Sequence, residues 1–340
     1  LLCLWEGWWC VLFGVSKTAA LLLQLLLGYS LALGVYVLAR RYASCSGALG
    51  AAMLLILTLP YRQSLSWVMA EHLTAVLVFA AAVAFARYLG GPGLVAGQLF
   101  GLLAALALLV KGSASPLVLL PLISVLIARR FAVLLRLDFW LSALPVIFLA
   151  VPWYSFWIRF ASPNSGSIGR SVESGAWMPG LEYGPVVLVS ALIGFVLLSK
   201  RDPYVATLAG LVGSYAVAPF WIGAFREGRH MLPAIAGAAV LASGVWGRLK
   251  RPELLVGCCL GLSWWLTPGT VGFAPERFRS WAQGIPDLGA ILVSGSGTEE
   301  GAVVAAIAER EPKPRRVVFR AGRVLATSGW NGERYRLLVM

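Results

Sequence analysis

The sequence predicts a mainly α-helical membrane protein, a polytopic transmembrane bundle of about ten helices followed by a small C-terminal α/β extracytoplasmic domain. Three observations predict it. Apolar residues make up 59% of the chain and charged residues only 13%, and the mean hydropathy is +0.81, far outside the range of a soluble domain. The apolar residues fall in unbroken runs of helical length, separated by short basic clusters. After Thr267 the composition changes and the long apolar runs cease.

Lipid offers no partner to backbone N–H and C=O groups, so a spanning segment must be a helix or part of a closed barrel, and long runs select helices. In chain order the predicted helices are Thr18 to Leu38, Gly47 to Pro60, Ser66 to Ala86, Gly93 to Val110, Ala114 to Ala128, Phe139 to Ile158, Pro185 to Ser199, Tyr204 to Ile222, Met231 to Gly247 and Glu253 to Thr267. If their ends alternate sides, one face collects eleven Lys and Arg, from Arg40 and Arg41 to Arg251, and the other collects seven, counted up to the last helix. The richer face is then cytoplasmic. The opposite face carries the longest loop between helices, Phe160 to Gly184, which is rich in Gly, Ser and Pro and includes Trp177 and Tyr183. Such a loop is either a functional element or a plain surface connection.

The chain divides into a membrane region at 1–267, a linker at 268–286 and a soluble tail at 287–340. In the tail, Ala290 to Ser294 reads as a strand, Ser294 to Gly297 as a glycine turn, Glu299 to Arg310 as a helix and Arg316 to Arg320 as a second strand. A turn at Trp330 to Gly332 precedes a last strand at Tyr335 to Val339. Glu299 and Glu300 occupy the first turn of that helix, which suits the helix dipole and opposes phosphate binding there.

The net charge of +13 raises a nucleic-acid partner, but the cations are dispersed between apolar runs, so none is expected. The five cysteines show neither metal-ligand spacing nor a disulfide framework. Residues Leu1 to Phe13 have neither the basic start nor the small-residue cleavage site of a signal peptide, and the chain is expected to lack its natural start.

Ionisable side chains within membrane segments are costly and default to functional candidates. Of fifteen acidic residues, only Glu71 lies well inside an apolar run, and it is followed by His72, one of two histidines. Lys111 closes the run from Leu99 to Val110 on the outer side. A third cluster, Phe225 to Pro233, places Arg226, Arg229 and His230 on that same face, and Arg62 joins them there. Arg62, Lys111, Arg226 and Arg229 could together seat a phosphate at the outer leaflet. The structural alternatives stay open: Lys111 as a snorkelling anchor, Glu71 and His72 as a buried packing contact, and the cations as scattered interfacial anchors. There is no HExxH, Walker A or GxSxG motif. Two histidines and one intramembrane carboxylate make an all-protein metal cage an unlikely arrangement, so no metal site and no cofactor is indicated, with a divalent metal left open.

Taken in order, several pieces resemble one family. They are Leu12-Phe13-Gly14-Val15-Ser16-Lys17 with Tyr36 to Arg41; Pro60 with Arg62; Met69-Ala70-Glu71-His72-Leu73; Leu108 to Ser113; Val151-Pro152-Trp153-Tyr154; and Arg229-His230-Met231-Leu232-Pro233. The stretch from Trp8 to Gly247 resembles the GT-C superfamily of membrane glycosyltransferases. The nearest group is glycosyltransferase family 39, the protein O-mannosyltransferase and aminoarabinose transferase group. The resemblance implies an inverting transferase of the bacterial inner membrane, with a polyprenyl-phosphate-linked sugar as donor and the tail extracytoplasmic. A carboxylate would act as general base, and cations would stabilise the departing lipid phosphate.

Lys111 and Arg229 would bind that phosphate. The candidate substrate-binding set is Arg62, Lys111, Tyr154, Arg226, Arg229 and His230, with Glu71 and His72 in support. The family's catalytic Asp lies in the first external loop, which is expected to precede Leu1, and Glu6 is not expected to replace it, so the catalytic residue is unknown. The tail also resembles small extracytoplasmic domains that follow such membrane regions. The alternative readings are a transporter or lipid flippase, for which polar residues should converge on broken helices near the midplane, and a purely structural membrane subunit.

Overall fold

The computed structural model describes residues 2–14, 17–66, 70–161, 184–221, 228–250, 252–266, 290–294, 316–318 and 336–339. The chain divides into two compact units, residues 1–268 and 269–340. The first is helical throughout its described residues, and each apolar run expected to span folds into helix: α1 (Leu2–Phe13), α2 (Lys17–Ala39), α3 (Cys45–Leu57), α4 (Leu59–Ser66), α5 (Glu71–Gly90), α6 (Leu94–Val110), α7 (Leu120–Ala128), α8 (Leu137–Leu141), α9 (Val151–Ala161), α10 (Pro185–Leu197), α11 (Pro203–Trp221), α12 (Leu232–Trp246) and α13 (Pro252–Leu266).

Three helical stretches are long and apolar enough to cross a membrane on their own: Thr18–Ala39, Glu71–Gly90 and Leu137–Phe156. A fourth candidate is the pair Cys45–Leu57 and Leu59–Leu65, bent by 67°. The outer face of α2 is as apolar as its buried one. On α2, Leu23, Leu27, Leu31 and Val35 are buried while Leu22, Leu25, Leu33 and Val37 on the other side are exposed. A helix apolar all round, with half of its circumference uncovered, is matched to lipid rather than to water.

The structure departs from the sequence expectation at several prolines, at the N-terminal end and at the start of α5. Leu2–Phe13 forms a helix that was not expected. The predicted helix from Gly47 to Pro60 breaks at Thr58, which is extended, because the Pro60 ring would strike the Ile56 carbonyl if the helix ran on. Thr58 closes α3 by donating its hydroxyl to the Leu55 carbonyl at 2.7 Å. The predicted Ala114 to Ala128 helix opens instead as a 3₁₀ stretch, Gly112–Val118, containing Pro116. Between α8 and α9 the chain passes through a π-turn, Val146–Ala150, lying between Pro145 and Pro152, which cannot supply an amide hydrogen to the preceding turn. The third predicted helix starts at Glu71 rather than Ser66, so Glu71 stands at a helix N-terminus and not inside a span.

The core is built on α12, buried along nearly its whole length. It packs against α2, α3, α5, α10 and α11. Its Ala, Gly and Ser side chains let backbones approach closely, as expected where helices associate without a hydrophobic driving force. At the end of the bundle away from Glu71, Tyr88 donates to Asp138 at 3.0 Å, and Arg136 grips that carboxylate with two bonds of 3.0 Å. Tyr42 donates to Asp202 at 3.1 Å. These contacts tie α5 to α8, and α2 to α11, across loops that are far apart in sequence.

In the second unit, Ala290–Ser294, Arg316–Val318 and Arg336–Val339 (β1, β2 and β3) form a parallel sheet in the order β2-β1-β3. Leu292 is level with Val318 on one side and Leu337 on the other. The expected helix at Glu299 to Arg310, the turns at Ser294 to Gly297 and at Trp330, the linker, and most of the loop from Phe160 to Gly184 lie outside the described residues.

Candidate functional site

Three elements distant in sequence bring charged side chains to one point. Glu71 occupies the first turn of α5, where free amide hydrogens and the helix dipole favour a carboxylate. Lys111 ends α6 in extended conformation, φ −159° and ψ 138°. Its position is fixed by its amide, which donates to the Ala107 carbonyl at 3.0 Å, and its carbonyl, which accepts from Ala114 at 3.1 Å. Arg229 lies on a 3₁₀ turn, Gly228–Met231, that leads into α12. The Lys111 ammonium donates to Glu71 Oε1, and Arg229 Nε lies 3.6 Å from the same oxygen. The Glu71 side chain is 2% exposed, against 28% for Lys111 and 20% for Arg229. The carboxylate is thus enclosed, and the two cations partly face outward. Glu71 Oε2 has no hydrogen-bond partner among the described residues.

Two tyrosines hold the turn that carries Lys111. Tyr154 on α9 donates to the Leu108 carbonyl at 2.9 Å, and Tyr215 on α11 donates to the Ser113 carbonyl at 2.9 Å. Tyr154, expected among the substrate-binding residues, stands beside the Lys111 turn with its hydroxyl on the backbone. Tyr215 escaped the sequence reading: a lone Tyr in an apolar run carries no signal that distinguishes a backbone pin from an interfacial side chain.

The remaining candidates separate. His72 is fully buried, with its ring edge-on to Tyr61 at 5.1 Å between centroids. It packs where Gly28 of α2 lets α4 approach, and a Cβ on Gly28 would meet the Tyr61 hydroxyl at 2.9 Å. Consecutive helix residues point in different directions, so Glu71 faces the cations and His72 faces α4. Arg62 on α4 has its guanidinium 5.9 Å from the ring centre of Trp264 on α13. Arg226 lies outside the described residues. Gln24 on α2 was not singled out because it bears no charge, yet it is fully buried and neither amide atom has a partner among the described residues. It stands one turn before Gly28, on the same helix face.

His230, next to Arg229 and just before α12, has its pKa pushed down to about 4, mainly by burial; Lys111 and Arg229 add to the shift and Glu71 opposes it. Its ordinary value is 6.5. As pH falls from about 6.5 towards 4, the unfolded chain takes up a proton that the folded chain refuses, so stability declines over that window and is fully present above it. Thermal unfolding should show a loss on the order of 1–2 kcal/mol between pH 7.5 and pH 5, and His230→Gln should flatten that dependence. An unchanged pH profile in the variant would assign the effect elsewhere.

Among the described residues no group of three or more His, Cys, Asp or Glu could hold a metal ion. Two cations converge on one carboxylate, and both are more exposed than it. Their outward sides can engage an anion. No protein-family model matches the chain, and no curated protein sequence matches it.

Proposed function

We propose that the protein is a membrane glycosyltransferase of GT-C type, which transfers a sugar from a polyprenyl-phosphate donor to an acceptor on the extracytoplasmic side of a bacterial inner membrane. The observation that carries this reading is the meeting of Lys111 and Arg229 on Glu71 at one end of the helical unit. The order of the motifs and the distribution of Lys and Arg support the same reading. In it the chain crosses the membrane about ten times, with the tail outside.

The donor phosphate sits on the exposed sides of Lys111 and Arg229. Their charge stabilises the lipid phosphate as the glycosidic bond breaks, an interaction stronger in the transition state than before it. Glu71 keeps the two cations together before the donor arrives. His230 borders this seat, and Tyr154 holds the Lys111 turn. The general base is not assigned to any described residue.

The test is transfer and donor binding by the full-length protein with polyprenyl-phosphate sugars. Lys111→Ala and Arg229→Ala should each weaken donor binding by roughly tenfold or more, the value of a hydrogen bond to a charged partner. If both variants bind and transfer like the parent, the phosphate seat is wrong.

A second reading, a transporter or lipid flippase, is favoured by the break at Thr58 between α3 and α4, since discontinuous helices line many transport sites. Reconstituted vesicles separate the two. Lipid or solute movement without sugar transfer supports transport, whereas transfer from added donor supports the enzyme.

A further inference from the structure

The end of the bundle opposite Glu71 gathers cations from three loops. Arg40 and Arg41 follow α2, Lys200 and Arg201 follow α10, and Arg248 and Lys250 follow α12, and all six are exposed. The loops are fastened to each other. Tyr42 donates to Asp202, the Arg41 guanidinium stacks 4.2 Å from the centre of the Tyr204 ring, and a Cβ on Gly247 would collide with the Tyr42 carbonyl. Arg248 donates to the Leu197 carbonyl at the end of α10, and the Lys200 ammonium lies 5.3 Å from the ring centre of Phe195 in the same turn. Two cations from different loops therefore stand at the last turn of α10.

Among the described residues, Asp202 and Glu253 are the carboxylates on or next to these loops, and both are engaged. Asp202 accepts from Tyr42 and from the Tyr204 amide at 2.8 Å, and Glu253 accepts from Ser46 at 3.0 Å. Among the described residues none of the six cations forms an ion pair. Topology signals and helix-end dipoles ask for cations here, but neither explains loops fastened so that like charges are held side by side. Next to this turn the helices are bare and apolar: Leu192 and Val196 on α10 and Leu254 on α13 are exposed, and α10 and α13 touch.

We propose that this end of the bundle binds an anionic phospholipid, with its phosphodiester seated on Lys200 and Arg248 and its acyl chains lying along the exposed faces of α10 and α13. Arg248 spends one N–H on the Leu197 carbonyl, and its guanidinium has further donors for a phosphate oxygen. Arg40, Arg41, Arg201 and Lys250 add a field that selects anionic over zwitterionic headgroups. The inference does not depend on the transferase reading.

The experiment measures lipid retention by the purified full chain in detergent, by native mass spectrometry with added phosphatidylglycerol or phosphatidylcholine. The expected result is preferential retention of phosphatidylglycerol, weakened by raising the salt to about 0.5 M. Lys200→Gln with Arg248→Gln should lower apparent affinity by about 30-fold, taking about 1 kcal/mol for each cation. The charge-conserving pair Lys200→Arg with Arg248→Lys should keep the preference even if the glutamine pair folds poorly. Equal retention of the two lipids, retention unchanged in the glutamine pair, loss of preference in the charge-conserving pair, or displacement by millimolar inorganic phosphate as effective as by lipid would each overturn the proposal.

Discussion

Replacing Glu71 with glutamine is expected to destabilise the helical unit by about 3 kcal/mol, because it leaves Lys111 and Arg229 facing each other over a buried neutral amide. Removing one partner of an enclosed ion pair costs more than the pair contributes, since the charge left behind cannot be rehydrated. Here two charges are left behind. Both cations keep partial contact with solvent, which holds the expected loss at the lower end of the range for buried pairs. Thermal unfolding in detergent measures it, and Lys111→Met in the Glu71→Gln background should recover part of the loss because one of the repelling charges is gone. A melting temperature equal to that of the parent would mean that the carboxylate holds nothing together. The same Glu71→Gln variant reports on the seat: if Glu71 assembles it, donor binding weakens together with stability.

The second large effect is expected at Gly194. This residue lies where α10 crosses α12, and a Cβ there would fall within the van der Waals radius of the Leu241 carbonyl oxygen. The obstructing atom is backbone in the most enclosed helix of the unit, so it cannot rotate aside. Gly194→Ala should cost about 3 kcal/mol, at the upper end for overpacking, by forcing the two helices apart. Gly261 on α13, which has nothing near its Cβ position, is the control, and Gly261→Ala should leave the melting temperature within error or raise it slightly. Equal behaviour of the two alanine variants would show that close packing at Gly194 is not what holds α10 in place.

Much of the helical layout was legible in the residues themselves. The runs beginning at Thr18, Gly93, Pro185, Tyr204 and Glu253 fold as helices whose ends fall within two residues of expectation, because the hydropathy of a run and the prolines, glycines and charges at its ends are local properties. Expectation failed where a proline acted on a turn before it. The break at Thr58, the 3₁₀ opening at Gly112 and the π-turn before Pro152 all follow from a missing amide hydrogen or a ring meeting a carbonyl. Pro60 reads equally well as the end of one helix or the first turn of the next. The late start of α5 moved Glu71 from near the outer end of the predicted helix to the first turn of the observed one, where the helix dipole favours a carboxylate.

The candidate site was legible only in its membership. Glu71, Lys111 and Arg229 stood out because charge is scarce in this sequence. Nothing in their spacing said that two of them share one carboxylate oxygen, that His72 turns away towards Tyr61, or that Arg62 reaches Trp264. Gln24 and Tyr215 gave no signal, since an uncharged polar residue in an apolar run is unremarkable until its burial is known.

The sequence alone determined the apolar character of the chain and the place of most of its helices, because transferring an apolar run into lipid and satisfying its backbone are settled within one segment and sum along the chain. Tertiary structure decided which of the few charged and polar groups meet. That outcome depends on how α4, α5, α6 and α12 pack around one another, at glycine crossings and proline breaks whose effects reach far along the chain, and no local property of the residues carries it.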